Sequence, residues 1–465
     1  MSFCTILGKG PTAERIRASD GEDQDQQEWR MAMNQKIPHK NTPHKKVRHK
    51  KITDRHNGKE QIYYEIRKVL SGTRSRLAFL LLAMILGITL YFALGVEYVN
   101  EAGESERGPA AVASLRAAQK AWSGYLEEET IRQVIAENRR INETPEGRSE
   151  QIKESNIAYG WKQGIGEIRR LLNCSYAEAF RSYDYYRADS LTEEAAGAFY
   201  ENRTRLLQEW LANEAGDQYS EAEKAYLIGQ YESLETPFYY DYRKGWTQLF
   251  TFAPTVVMIT MLFLGYLVAG IFSNEFVWRA DAVFFASCHG RDRAVAAKVW
   301  AGVGIVTAVY WMVTLIYSAA VLGYLGADGW NCPVQTEQGD WKCFYHLTVW
   351  QKYVLIAAGG YVGCLFMAGL CMLVSARVRS AVPAVMVPFV LIFLPSFLGN
   401  LESAAVNKIL GLLPDRLLQM GTALGYFDLY TLGGRVMGAV PILLVLYGIG
   451  AAAVLPVVYW CFVRS

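Results

Sequence analysis

Six stretches of this chain, 77–96, 246–272, 299–325, 353–374, 381–398 and 439–463, are long and apolar enough to fix their environment. A hydrocarbon layer about 30 Å thick is crossed by about 20 apolar residues of helix. A helix also satisfies its own backbone hydrogen bonds there. The remaining sequence is ordinary polar protein, so the chain is part membrane bundle and part soluble lobe. Charge orients the bundle, because Lys and Arg collect on the cytoplasmic side. Residues 1–76 hold 17 Lys+Arg against 9 Asp+Glu, and residues 98–243 hold 17 against 26. These counts place both termini inside, with 273–298 and the Arg377/Arg379 loop, and put 98–245 and 399–438 outside. The expected fold class is an all-α integral membrane protein with six transmembrane helices in the cell membrane.

Taken in order, residues 1–59 are polar and show no hydrophobic period, which reads as a disordered basic arm over anionic headgroups. In 60–76, Ile62, Ile66, Val69 and Leu70 form one apolar stripe, with Glu65, Arg67 and Lys68 off it. That pattern predicts an interfacial helix before the first span, 77–97. The block 98–245 reads as helical throughout, with Ile157, Trp161, Ile165, Ile168 and Leu172 on one face. Ser190/Glu193 and Ser220/Glu223 have capping-box spacing. Tyr239, Tyr240 and Tyr242 read as core or interface aromatics beside the second span. Asn142, Asn173 and Asn202 begin short sequons of a kind that arises by chance. Gly359 and Gly363 allow close helix approach. In 399–438, the Ile409–Leu413 run before Pro414 predicts short helices dipping back towards the membrane. Cys332 and Cys343 share one short loop, and facing outward they would form a disulfide; the alternative is two free thiols.

The stretch 273–298 joins the second and third spans and carries Glu275, Arg279, Asp281, Arg291, Asp292, Arg293 and Lys298. Phe276, Val277, Ala280, Phe284 and Ser287 fall near helical spacing, and Gly290 breaks the pattern. This predicts a short amphipathic helix at the inner mouth of two spans, with Glu275 at its positive end. The order Glu275, Phe284–Phe285, Ser287, Gly290–Arg291 and Lys298 resembles the first cytoplasmic loop of exporter-type (ABC-2-like) ABC permeases. The elbow-like 60–76, the six spans and the late outer loop resemble that family too. One departure is that Arg279–Ala280 stand where family members often carry glycine. The resemblance implies that 273–298 is a coupling helix docked on an ATPase subunit. Its implied contact residues are Glu275, Phe276, Arg279, Phe284, Phe285, Ser287, Gly290 and Arg291. It further implies a pair of ATPase subunits, a second permease copy or paralogue, and membrane lipid as partners, with no nucleic acid and no cofactor.

Chemistry of its own is not legible in the sequence. There is no GxxxxGK[ST] to cradle nucleotide phosphates and no HExxH. No apolar body of a span, as delimited above, carries an Asp, Glu, Lys, Arg or His, which argues against an ion-driven carrier. The expectation is therefore a non-catalytic permease subunit driven by a separate motor. The alternative is a membrane receptor whose outer domain binds a ligand and signals inward.

Overall fold

The computed structural model describes residues 54–215, 218–287, 290–398 and 404–464. Most of the basic arm, and Cys288 within the 273–298 loop, lie outside them. The first helix, α1 (Asp54–Leu70), begins before residue 60, so the end of the expected disordered arm is helical. Ser71 and Gly72 separate it from α2 (Thr73–Ala93).

The lobe that follows α2 contains α3 (Pro109–Lys120), α4 (Glu128–Glu143), α5 (Ile152–Lys162), α6 (Gly166–Ser175), α7 (Phe199–Asn213) and α8 (Glu221–Glu232). The long helices are α9 (Lys244–Val277), α11 (Arg293–Leu325), α12 (Val349–Val378) and α17 (Ala439–Val463), with the short α10 (Asp281–Ala286) between the first two. Between α12 and α17 lie α13 (Ala381–Leu398), α14 (Ala404–Leu410), α15 (Asp415–Leu418) and α16 (Met420–Ala423).

Among the described residues five helices, α2, α9, α11, α12 and α17, are long and apolar enough to cross a membrane, so the chain is a multi-pass membrane protein. The remaining apolar helix, α13, has 18 residues and carries Pro388 and Pro395. Centre and periphery separate cleanly. Two thirds (67%) of the apolar window of α9 is buried, against 17% of that of α2 and 22% of that of α17. The peripheral helices leave Leu77, Leu80, Tyr91, Val445 and Ile449 exposed, as suits a hydrocarbon solvent. Close approach in the centre rests on small residues of α12. A Cβ on Gly359 would press on Met420 of α16, and one on Gly363 would meet Leu417 of α15. Gly363 and Gly359 are thus the seat of the short helices that the 399–438 run predicted. Leu417, Leu418, Met420 and Leu424 are all buried there.

The lobe departs from the all-helical expectation. It carries two small antiparallel pairs, β1 (Glu97–Val99) with β2 (Ser105–Arg107), and β3 (Gly124–Tyr125) with β4 (Tyr239–Tyr240). A third pair, β5 (Leu429–Leu432) with β6 (Arg435–Gly438), turns at Gly433 and Gly434, both at positive φ, which favours glycine in a tight hairpin. The apolar face from Ile157 to Leu172 is split between α5 and α6, leaving Ile165, Ile168 and Leu172 buried and Trp161 exposed. Ser220 and Glu223 form the predicted capping box. Ser190 does not, because it ends a 3-10 turn and Thr192 stands at the start of the next one. Asn173 is fully buried and Asn202 is buried, so neither sequon presents an acceptor. Tyr240 and Tyr242 are buried as core aromatics.

The lobe also does not close on itself. Its two cores take in Trp341 and Phe344 from the loop after α11, and Phe427 and Leu429 from the segment before α17. Arg203 of α7, buried, donates to the carbonyls of Trp341 (3.0 Å) and Cys343 (2.9 Å). Cys332 and Cys343 are buried free thiols, not a disulfide. Burial pushes Cys332 up to about 11 and Cys343 to about 12, so both stay protonated.

Candidate functional site

The stretch 273–298 is not one amphipathic helix. Helix α9 runs straight through Glu275 and Phe276 to Val277. At about 1.5 Å per residue its 34 residues reach about 50 Å, well beyond a hydrocarbon core of about 30 Å. Its length exceeds that layer by several turns, so part of the helix lies outside it. Arg279 then takes a left-handed conformation (φ 52°), in the position that usually ends a helix with glycine. Its N–H bonds the Phe276 carbonyl (3.1 Å), and the N–H of Ala280 bonds that of Glu275 (2.9 Å). A six-residue helix, α10, follows. Ser287 closes it, its hydroxyl donating to the Phe284 carbonyl (2.8 Å). Gly290 is required by the return, because a Cβ there would collide with that same carbonyl oxygen.

Glu275 does not cap a helix start. It lies near the C-terminal end of α9, where its Oε1 accepts from Lys298 Nζ of α11 (2.8 Å) and Lys68 Nζ of α1 (2.6 Å). Lys298, fully buried, also donates to Glu65 Oε2 of α1 (3.0 Å) and to the Ile271 carbonyl (3.2 Å). Four charges from three helices thus form one network. The ammonium of Lys298 has three acceptors, which is what a buried cation needs. Ile66, Val69 and Leu70 of α1 seal it by packing on the bundle core. The stripe read from sequence therefore faces protein, and Glu65 and Lys68 face partners rather than water.

The aromatic residues of the loop pack on the chain itself. Phe276, Phe284 and Phe285 turn inward around Phe462 of α17, with ring centroids 5.8, 6.0 and 5.4 Å from it. Phe272 reaches Phe462 from beneath (4.7 Å). Cations cover the cluster: Lys298 over Phe284 (5.3 Å), Arg291 over Phe285 (5.4 Å) and Arg379 over Phe276 (4.8 Å). The exposed surface of the loop is instead Val277 (65%), Trp278 (58%) and Val283 (76%), with Arg279 and Ser287 beside them. Lys68 stands over the Trp278 ring at 5.0 Å.

Of the residues singled out from sequence, Glu275, Phe276, Phe284 and Phe285 are brought together as the root of the loop. Arg279, Ser287 and Arg291 are exposed, and Gly290 is buried as a turn. Glu65, Lys68, Trp278 and Phe462 were missed. Opposite charges three apart in Glu65 and Lys68, complementary to Lys298 and Glu275, were the available signal. Among the described residues no group of three His, Cys, Asp or Glu could hold a metal ion. No family model, no curated protein and no solved structure matches this chain.

Proposed function

We propose that this chain is the membrane-spanning subunit of an ATP-driven exporter of the ABC type, and that the loop around α10 docks a separate ATPase subunit. The observation that supports it is the clamped loop. A lever must be rigid at its root and must offer a contact surface at its tip. The Glu275–Lys298–Lys68–Glu65 network and the Phe462 cluster make the root. Exposed Val277, Trp278 and Val283 make the tip, and Trp278 would serve there as an aromatic anchor in a partner groove. In this reading Phe276, Phe284 and Phe285 transmit motion to α9 and α17 rather than touching the partner. The loop and both termini are cytoplasmic, the lobe is outside, α13 is the sixth span, and a second copy or paralogue completes the pathway.

The test is purification of the tagged full chain from native membranes, followed by mass spectrometry and ATP hydrolysis in lipid. Trp278→Ala and Val283→Asp are expected to lose the ATPase subunit, since a central aromatic anchor is worth about 2 kcal/mol or more. Phe284→Ala is expected to keep the subunit but uncouple its hydrolysis. Recovery of no nucleotide-hydrolysing subunit would overturn the reading. The receptor reading is favoured by one observation, the splice of the lobe into bundle loops through Arg203, Trp341 and Phe344. A co-purifying kinase or regulator would select it.

A further inference from the structure

A polar cavity of about 230 Å³ lies where the lobe meets the end of α2 and the start of α9. At about 30 Å³ per water it has room for about seven waters. Six charged residues line it: Glu97, Lys162, Glu167, Arg169, Arg170 and Lys244. Most are already paired. Arg169 holds Asp189 (2.9 Å), Arg170 holds Glu167 (2.9 Å), and Glu97 accepts from Arg107 Nε (2.7 Å). Lys162 and Lys244 are the remainder. Lys162 donates to the neutral Asn142 side chain, and neither lysine has a carboxylate at ion-pair distance among the described residues. Burial pushes the Lys162 ammonium below the usual lysine range, with the attraction of Asp189 too weak to offset it. Two lysines outside any ion pair therefore line one recess, beside carboxylates that arginines already hold.

We propose that this cavity binds an oxyanion, the phosphate or carboxylate group of an organic ligand, with Lys162 and Lys244 as its counter-charges. Leu115 and Tyr159 on the same wall would receive the apolar body of that ligand. Lys162 belongs to the lobe and Lys244 opens a membrane helix, so a bound anion fastens one to the other. The inference is independent of the transporter reading. Because the cavity sits where α2 and α9 leave the apolar layer, the anion has two sources, a soluble solute or the headgroup of an anionic lipid.

The experiment uses the full chain in nanodiscs of phosphatidylcholine, with thermal unfolding and binding measured against inorganic phosphate and citrate. Sodium chloride at matched ionic strength is the control. Phosphate or citrate is expected to raise the unfolding midpoint where chloride does not. Lys162→Gln and Lys244→Gln should each weaken the apparent affinity about tenfold or more, the loss of one charge-assisted hydrogen bond. Lys162→Arg should retain binding, and Lys153→Gln, an exposed lysine elsewhere on the lobe, should not change it. A parallel set in phosphatidylglycerol nanodiscs separates the sources. Stabilisation by that lipid, lost in both Gln variants and absent with soluble anions, assigns the headgroup. Stabilisation by soluble anions in phosphatidylcholine assigns the solute. No specific stabilisation in either set, or one that survives both Gln variants, would overturn the proposal.

Discussion

Glu275 is the residue on which the membrane-proximal network turns. It neutralises two lysines from different helices, one of them fully buried. Removing one partner of a buried pair leaves an uncompensated charge and costs about 3–5 kcal/mol. Glu275→Gln is expected to cost less than that, about 1.5–3 kcal/mol, because Lys298 keeps Glu65 and Lys68, which loses its carboxylate, is partly exposed. The readout is the melting temperature in detergent, together with protease cutting at the exposed Arg279. A variant with the wild-type melting temperature and the same resistance to cutting would mean that the network does not hold the loop. Arg279 makes a second residue-scale point. A left-handed residue other than glycine carries a strain that Arg279→Gly would relieve.

Among the elements, the join between α6 and the segment that follows it depends on Asp189. That carboxylate accepts from Asn138 (2.9 Å), Asn142 (3.0 Å) and Arg169 (2.9 Å), and so ties α4 and α6 to one turn. Burial alone would raise its pKa, but these three donors outweigh burial and hold it below the ordinary aspartate range. The sign follows. A depressed folded pKa contributes stability that is present above the unfolded value, about 3.9, and is lost as pH falls through the folded value. The lobe is expected to weaken below about pH 4. Asp189→Asn should flatten that acid loss and reduce stability at pH 7 by about 1.5–3 kcal/mol, the range for a charged hydrogen bond. Unfolding followed by tryptophan fluorescence between pH 3 and 7 checks it. An unchanged acid slope in the variant would remove Asp189 from the account.

For the whole molecule, the lobe and the α10 loop lie on helices that run through the bundle to opposite ends. Helix α9 starts beside the lobe at Lys244 and ends at the loop at Val277. With the basic-residue asymmetry this predicts that Ser182 and Val283, both exposed, face opposite sides of the membrane. In a background without other accessible cysteines, Ser182→Cys should react with an impermeant thiol reagent on intact cells. Val283→Cys should react only after permeabilisation. Reaction of both on intact cells would contradict the topology.

What the sequence determined by itself was whatever depends on neighbours along the chain. The apolar length of α2, α9, α11, α12 and α17, the Ser220/Glu223 cap, the stripe of α1 and the small residues of α12 are all local patterns. Hydrophobic length and helical period fix them before any tertiary contact forms. Tertiary structure alone decided which way a side chain faces when two environments compete for it. Phe276, Phe284 and Phe285 suit a partner groove and a core equally well, and in the folded chain they pack around Phe462, almost two hundred positions away. Cys332 and Cys343 are close in sequence, yet in the folded chain both are buried as free thiols. In the sequence Glu65 and Lys68 belong to the polar side of an interfacial helix, and Glu275 and Lys298 to the loop 273–298. They became one network because three helices converge there, and a buried charge is stable only beside its opposite.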